Sequence, residues 1–125
     1  MRILVCGGRD FTDEAHVHRE LDFIDDDVCY ISSLIEGGAT GVDRFARNWA
    51  IKRKRPYKTF HANWTKYGKK AGYIRNAEML KKGVPDLVIA FKGGAGTKMM
   101  IELAEKAGVL VERCCNGLDT LFRRK

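Results

Sequence analysis

The stretch that decides the fold lies at residues 86–97 and reads DLVIAFKGGAGT. Its first six residues are mostly apolar, which predicts a buried β-strand. A turn with three glycines follows, and Thr97 is expected to be the N-cap of a helix. A strand, a tight turn and a helix in this order form the repeating unit of a parallel α/β sheet.

Two more glycine turns directly follow the apolar runs at residues 2–6 and 33–36. In a parallel sheet, such turns lie at the carboxyl ends of the strands, where the backbone can approach a ligand and helix N-termini present free N–H groups. Three of them predict a pocket for an anionic small molecule, such as a nucleotide or a relative of one. The glycines of the two further turns are Gly7, Gly8, Gly37, Gly38 and Gly41.

Helical periodicity alternates with short apolar runs along the chain. The runs at 2–6, 33–36, 57–61, 86–91 and 109–112 predict five strands. A helix is expected between each pair of strands, which gives the order βαβαβαβαβ. This order predicts an α/β fold: a Rossmann-like three-layer sandwich with a mainly parallel five-stranded sheet and helices on both faces.

Caps and apolar stripes place the four helices. Thr12 is the candidate N-cap of the first helix, and an apolar stripe from Val42 to Ala50 marks the second. The third is expected from about Ala71 to Lys82, after a polar loop or mobile flap at 62–70. The residues expected to face the core in the last two helices are Ile74, Ala77, Leu80, Ile101, Ala104 and Ala107.

Length and composition indicate one domain. The chain has 125 residues, of which 45% are hydrophobic, enough for a core. Neither an apolar run long enough to span a membrane nor a signal peptide is recognisable. The four cysteines show no disulfide or zinc-binding spacing. We therefore expect a cytoplasmic protein with reduced thiols, without a metal, a cofactor or a membrane partner.

Positive charge is concentrated in two places. The formal net charge is +7, and much of the excess lies in residues 52–55 (Lys-Arg-Lys-Arg) and 123–125 (Arg-Arg-Lys). Such runs suit a nucleic-acid surface, although cations at a helix C-terminus are also good dipole partners. We expect a nucleotide-binding domain over residues 1–113, a basic tail over 114–125, and at most weak, nonspecific nucleic-acid binding. A homo-oligomer is compatible with the sequence.

Side chains near the turns can recognise a phosphorylated ligand. Arg9 can clamp a phosphate, and Asp10 can accept a hydrogen bond from a ribose hydroxyl. Asp43 either contacts the ligand or stabilises a helix dipole. The predicted ligand-binding residues are Gly7, Gly8, Arg9, Asp10, Gly37, Gly38, Thr40, Gly41, Asp43, Arg75, Asn76, Gly93, Gly94, Gly96 and Thr97.

Some of these residues have a second interpretation. Arg75 and Asn76 can instead be a solvent-facing pair on their helix. The aromatic residues Trp64, Tyr67 and Tyr73 can stack on a base or simply pack. The turns contain neither the G-x-G-x-x-G of an ordinary dinucleotide site nor the G-K-[ST] ending of a P-loop, so NTP hydrolysis is not implied.

Taken together, these residues resemble the YspA-like branch of the SLOG superfamily over about residues 1–111. This superfamily also includes the DNA-processing protein DprA/Smf and the LOG phosphoribohydrolases. The similarity is carried by GGRDF at 7–11, GGATGVD at 37–43, Arg75-Asn76 and GGAGT at 93–97. It implies a Rossmann-like domain with a pocket for a nucleotide or nucleotide derivative. Many members are thought to sense nucleotide signals, often in phage–host or defence settings.

One departure from the LOG pattern bears on catalysis. LOG enzymes carry a glutamate three residues after the threonine, where this chain has Met100. Arg75 matches a LOG catalytic arginine and is the candidate catalytic residue. Glu102 lies about 200° around the helix from Met100, so it is a poor substitute for the missing glutamate. We therefore expect a nucleotide sensor or ligand-binding protein. The alternatives are a LOG-like N-glycosidase acting on nucleoside 5′-monophosphates and a DprA-like binder of single-stranded nucleic acid.

Overall fold

The structure is a computed structural model, and it describes residues 1–114 of the chain. The five strands form one sheet in the order β3-β2-β1-β4-β5, and every neighbouring pair is parallel. The predicted α/β fold with a five-stranded parallel sheet is therefore confirmed. The strands are β1 Arg2–Cys6, β2 Ser33–Glu36, β3 Tyr57–Thr59, β4 Leu87–Phe91 and β5 Leu110–Cys114.

Five helices connect the strands. A π-helical turn, Ile24–Val28, continues the first helix, and a 3₁₀ turn, Gly68–Lys70, joins the third helix to the fourth. Within residues 1–114, every helix is too short or too polar to cross a membrane. The helices are α1 Glu14–Phe23, α2 Val42–Lys52, α3 Trp64–Tyr67, α4 Ala71–Gly83 and α5 Ala95–Lys106.

Side-chain alternation along the strands gives the sheet two buried faces. Ile3 of β1 packs with residues of α1 and α2, including Trp49, on one face. Leu4 packs with Met79 of α4 and Met100 of α5 on the other face. The helices thus cover both faces, as predicted, and the molecule has three layers.

The strand order reverses beside β1. The chain moves outward from β1 through β2 to β3, and α4 then carries it back to β4 on the other side of β1. Consequently α1 and α5, which follow the paired strands β1 and β4, leave on opposite faces of the sheet. A crevice opens between such diverging connections at the carboxyl ends of the strands, and ligands of open α/β sheets bind there.

Both predicted threonine caps are wrong. Asp13 is the N-cap of α1, because its Oδ1 accepts a hydrogen bond from the backbone N–H of His16 at 3.0 Å. Gly94 is the N-cap of α5, and no side chain caps that terminus. Thr97 lies within the first turn of α5, since the flexible glycine turn lets the helix begin at Ala95.

The predicted loop at 62–70 is also wrong, because α3 and the 3₁₀ turn lie there. The Oδ1 atom of Asn63 caps α3 by accepting a hydrogen bond from the backbone N–H of Lys66 at 3.0 Å. No residue of α3 is buried. The helix has no apolar stripe for that reason, and periodicity alone could not reveal it.

Several boundaries and inward faces differ from the predictions by a few residues. β3 ends at Thr59, whereas β5 continues to Cys114. The buried residues of α4 are Ala71, Asn76 and Met79, because α4 packs against α5 as well as the sheet. The predicted Leu80 and Ile101 pack, partly buried, against the core. In α5, Met100 is buried and so is Ala104, as predicted, whereas Ala107 follows the helix and is exposed. The predicted tail beyond Cys114, including Arg123–Lys125, lies outside the described residues.

Candidate ligand-binding site

A cavity of about 660 Å³ lies at the carboxyl ends of β1 and β4. This is the point at which the strand order reverses, and the volume is typical of small-molecule sites. Eleven of the fifteen predicted ligand-binding residues line it. They are Gly7, Gly8, Arg9, Asp10, Asp43, Arg75, Asn76, Gly93, Gly94, Gly96 and Thr97.

The first and third glycine turns touch each other at the cavity wall. The backbone N–H of Gly8 donates a hydrogen bond to the carbonyl oxygen of Lys92 at 2.9 Å. A Cβ atom on Gly93 would contact the Thr97 hydroxyl and lie 2.8 Å from the nitrogen of Gly8. Glycine is needed at position 93 because any side chain would force the two turns apart.

The N-terminus of α5 opens into the same cavity. Gly94, Ala95, Gly96 and Thr97 all line the wall, and a Cβ atom on Gly94 or Gly96 would meet nothing within 4 Å. Because no side chain caps α5, its first N–H groups are available to an anion. The positive end of the helix dipole adds to the attraction.

The second glycine turn supports the first and contributes Ala39 and Asp43 to the wall. Gly41 has a φ of +71°, and a Cβ atom there would contact the carbonyl oxygen of Gly8. The Thr40 hydroxyl donates a hydrogen bond to the carbonyl oxygen of Arg9 at 3.0 Å. The four predicted residues of this turn that lie outside the cavity wall are Gly37, Gly38, Thr40 and Gly41.

Arg75 and Asn76 link the second and third turns. Arg75 Nη1 donates to the carbonyl oxygen of Gly37, and Arg75 Nε donates to Asn76 Oδ1 at 2.9 Å. Asn76 Nδ2 in turn donates to the carbonyl oxygen of Gly96 at 3.3 Å. Asn76 is only 4% exposed, so the solvent-facing interpretation of this pair is wrong. Both side chains line the cavity.

Asp43 is a buried carboxyl group in the cavity wall. Burial, together with the nearby charge of Glu36, raises its pKa to about 6, although the Ala39 N–H and Arg75 oppose this. The Ala39 N–H donates to Asp43 Oδ2 at 3.2 Å. Burial also lowers the pKa of Arg75, and the charge of Arg9 acts in the same direction. The cavity thus holds a carboxyl group whose pKa lies about two units above its ordinary value.

Sequence reasoning missed Glu36, which supports this region. Its side chain is fully buried at the end of β2. Oε1 accepts a hydrogen bond from the backbone N–H of Gly38 at 2.6 Å, and Oε2 accepts one from the Thr59 hydroxyl. The only sequence signal is a charged residue that ends an apolar strand, and its partner Thr59 lies 23 residues away.

Cys6 and Met100 give the cavity an apolar floor. Burial raises the pKa of the Cys6 thiol to about 12, so this thiol is neutral. Met100 is buried, lines the wall and offers no proton donor or carboxylate. Any acid–base chemistry at this site would therefore depend on other groups of the wall.

The basic run at residues 52–55 lies at the C-terminal end of α2, at the opposite edge of the sheet from the cavity. Arg53 forms salt bridges with Asp22 at 2.6 Å and with Asp25 and Asp26 at 2.9 Å. Arg55 pairs with Asp25 at 2.8 Å. Two of the four cations are thus paired with acidic residues of the first helical segment.

Comparison with known proteins agrees with this architecture. The sequence profile of the YspA, cpYpsA-related SLOG family matches residues 1–67, which include the first two glycine turns. The chain is also 33% identical over 120 residues to the Gene 61 protein of Mycobacterium phage D29, covering 88% of this chain and 93% of that protein. No solved structure matches the chain. The chain therefore belongs to the YspA, cpYpsA-related SLOG family.

Proposed function

We propose that this protein binds a nucleotide or another phosphoribosyl-containing small molecule in the 660 Å³ cavity, as a sensor or ligand-binding protein. One observation carries the proposal: the uncapped N-terminus of α5 and two arginines, Arg9 and Arg75, share one cavity wall. Helix N–H groups and guanidinium groups both bind phosphate well. Their convergence suits an anionic ligand better than a neutral one.

The rest of the wall suits the sugar and base. Asp10 and Asp43 offer carboxylate oxygens that can accept hydrogen bonds from ribose hydroxyls. Phe11, Met79 and Met100 supply apolar surface for a base. The wall thus combines many polar groups with fewer apolar side chains, as the polar sugar and the apolar face of a base require.

A second candidate function is cleavage of the N-glycosidic bond of a nucleotide. The observation that favours it is Asp43, whose carboxyl group lines the cavity and has a pKa of about 6. A general acid or base is most effective when its pKa lies near the working pH. Asp43 would then act as the general acid or base, a role that Met100 cannot perform, and Arg75 lines the same cavity. We rank binding without turnover above cleavage because the chain has Arg75 but carries Met100 in place of the glutamate of LOG enzymes.

A thermal-shift panel of nucleoside mono- and diphosphates, dinucleotides and nucleotide second messengers tests the binding proposal. A ligand at 100 times its Kd should raise the free energy of unfolding by about 2.7 kcal/mol. Ligands that stabilise the protein are then incubated with it, and free base is followed by chromatography. We expect stabilisation without release of base. Multiple turnovers that disappear in Asp43→Asn would establish the second candidate instead, and no stabilisation by any ligand would contradict both.

A further inference from the structure

Positive charge is strongly segregated along the chain. From Arg44 to Ala77 the sequence carries eleven lysines and arginines and no aspartate or glutamate. Because the whole chain has a formal net charge of +7, the remainder is net acidic. An anionic partner is therefore attracted to the surfaces that this segment forms.

The cations of this segment differ in how far they are already neutralised. Arg53 and Arg55 are held by acidic residues. Lys66, Lys69 and Lys70 are exposed, and none of them forms a salt bridge with any residue from 1 to 114. These three lysines, on α3 and the 3₁₀ turn, thus carry charge that no acidic residue from 1 to 114 neutralises.

Three exposed aromatic side chains stand among these lysines. Trp64 is 53% exposed and Tyr73 is 52% exposed, and Tyr67 is also exposed. A Cβ atom on Gly72 would lie 3.6 Å from Cη2 of Trp64, so the indole ring lies across the start of α4. The ring is thereby held against the protein while much of it remains open to solvent.

This surface adjoins the cavity of about 660 Å³ at the ends of β1 and β4, which we call the main cavity. Lys66 and Tyr67 line a smaller cavity of about 190 Å³, and Arg75 lines both cavities. α3 begins just after β3, so it lies at the same edge of the sheet as the glycine turns. We call this surface the stacking platform, and it consists of Trp64, Lys66, Tyr67, Lys69, Lys70 and Tyr73.

We propose that the stacking platform binds single-stranded nucleic acid without sequence preference. Bases stack on Trp64 and Tyr73, and the lysines between them contact phosphates. Aromatic faces beside a basic track are how proteins hold single strands, because every base has a π-face and every nucleotide a phosphate. This binding is separate from occupancy of the main cavity, so either function can fail without the other.

An anionic membrane surface is the other partner that aromatic and basic residues could suit. Binding to a membrane interface needs an amphipathic helix with a broad apolar face. Residues 63–73 contain no Leu, Ile, Val, Met or Phe, and α3 is a single helical turn. These features favour nucleic acid.

Fluorescence anisotropy of a labelled single-stranded oligothymidylate tests the proposal, with the full chain titrated at several salt concentrations. The logarithm of the affinity should fall linearly with the logarithm of salt concentration. The triple variant Lys66→Ser, Lys69→Ser, Lys70→Ser should lower that slope by about 2, at about 0.7 for each single-strand phosphate contact. Trp64→Ala should weaken binding roughly tenfold, and Trp64→Phe should recover most of the loss.

Intrinsic fluorescence provides an independent readout. The chain has two tryptophans, and Trp49 is buried, so quenching by bound oligonucleotide reports on Trp64. The matched control is Lys52→Ser, Lys81→Ser, Lys106→Ser, which removes the same charge from the C-terminal ends of α2, α4 and α5. These ends lie at the opposite edge of the sheet, so the control should keep the salt slope of the wild type.

Three results would overturn the proposal. The first is the absence of oligonucleotide binding at low salt in the folded wild type. The second is equal weakening by the platform triple variant and the control triple variant, since that would show an effect of net charge alone. The third is co-sedimentation with phosphatidylserine vesicles that oligonucleotide does not compete away. Mononucleotide affinity should be unchanged in the platform variants, so the outcome is independent of the main cavity.

Discussion

Gly8 donates its backbone N–H to the carbonyl oxygen of Lys92 at 2.9 Å. This hydrogen bond joins the turns that follow two paired strands, β1 and β4, whose helices leave on opposite faces of the sheet. The turns can approach this closely because Gly8 and Gly93 carry no side chains. Their contact forms one wall of the cavity and places the N-terminus of α5 beside the first turn.

Gly93 and Gly96 should respond to alanine in opposite directions. A Cβ atom on Gly93 would press on Thr97 and Gly8, so we expect Gly93→Ala to lower the free energy of unfolding by about 1 to 3 kcal/mol. Gly96 lies within α5 with open space around it, so Gly96→Ala should be neutral or add up to about 1 kcal/mol. Urea unfolding measures both values. Equal losses in the two variants would show that contact between the turns does not constrain position 93.

Two glycines with positive φ should differ in their tolerance of alanine. Gly41 and Gly108 have φ values of +71° and +77°, so alanine strains the backbone at both positions. Only at Gly41 would the new Cβ also press on the backbone of Gly8 and Arg9. We expect Gly41→Ala to be about 2 kcal/mol more destabilising than Gly108→Ala. Thermal unfolding followed by circular dichroism checks the order, and equal melting temperatures would contradict it.

Because of Asp43, the free energy of unfolding should fall as the pH rises from about 4 to about 6. Burial raises its folded-state pKa from 3.8 to about 6, so in this window the folded protein keeps a proton that the unfolded chain releases. Stability from this group is therefore complete below about pH 4 and is lost as the pH rises through about 6, by up to about 3 kcal/mol.

The isosteric variant Asp43→Asn removes this titration and keeps an oxygen that can accept the Ala39 N–H. Between about pH 4 and about pH 7, the variant should therefore gain stability relative to the wild type. Urea unfolding of both proteins at the two pH values measures the difference. Parallel pH dependence in the two proteins would mean that the Asp43 carboxyl titrates normally.

The four cations at residues 52–55 should form two pairs that differ in how much they contribute to the free energy of unfolding. The side chain of Asp25 is 2% exposed and pairs with Arg53 and Arg55. The double variant Arg53→Ser, Arg55→Ser leaves that buried carboxylate without its cations, so we expect a loss of about 3 kcal/mol or more.

The matched control is Lys52→Ser, Lys54→Ser, since both lysines are exposed. It should change the free energy of unfolding by less than about 0.5 kcal/mol. Guanidinium chloride unfolding compares the two double variants. A similar small effect for both would mean that the arginine pairs are as solvent-screened as ordinary surface contacts.

Local patterns were sufficient to predict the sheet and the cavity edge. The run at 86–91 is apolar enough to be a strand buried on both faces, and the glycine turns mark the carboxyl ends of β1, β2 and β4. Together they predicted the parallel sheet and the edge at which the cavity lies. Most of the candidate wall residues follow from this alone, because they belong to the turns.

The remaining features depend on contacts between distant parts of the chain. Asn76 is buried because it meets Gly96 of α5, and the Thr40 hydroxyl is engaged by the carbonyl oxygen of Arg9. Glu36 is buried because Thr59 and the Gly38 N–H satisfy its carboxylate. Such partners are set by the packing of whole elements, which no short window of sequence contains.

Isothermal titration calorimetry of wild type and Gly94→Val with the nucleotides that stabilise the protein is the most direct test of the central claim. The side chain at position 94 would point into open space at the N-terminus of α5, so the variant should fold. Its valine would stand where a phosphate approaches the free N–H groups. We predict binding by the wild type and at least roughly tenfold weaker binding by the variant, a change of about 1.4 kcal/mol. Equal affinity in the two folded proteins, or no binding of any nucleotide by the wild type, would contradict the claim that this cavity is a nucleotide site.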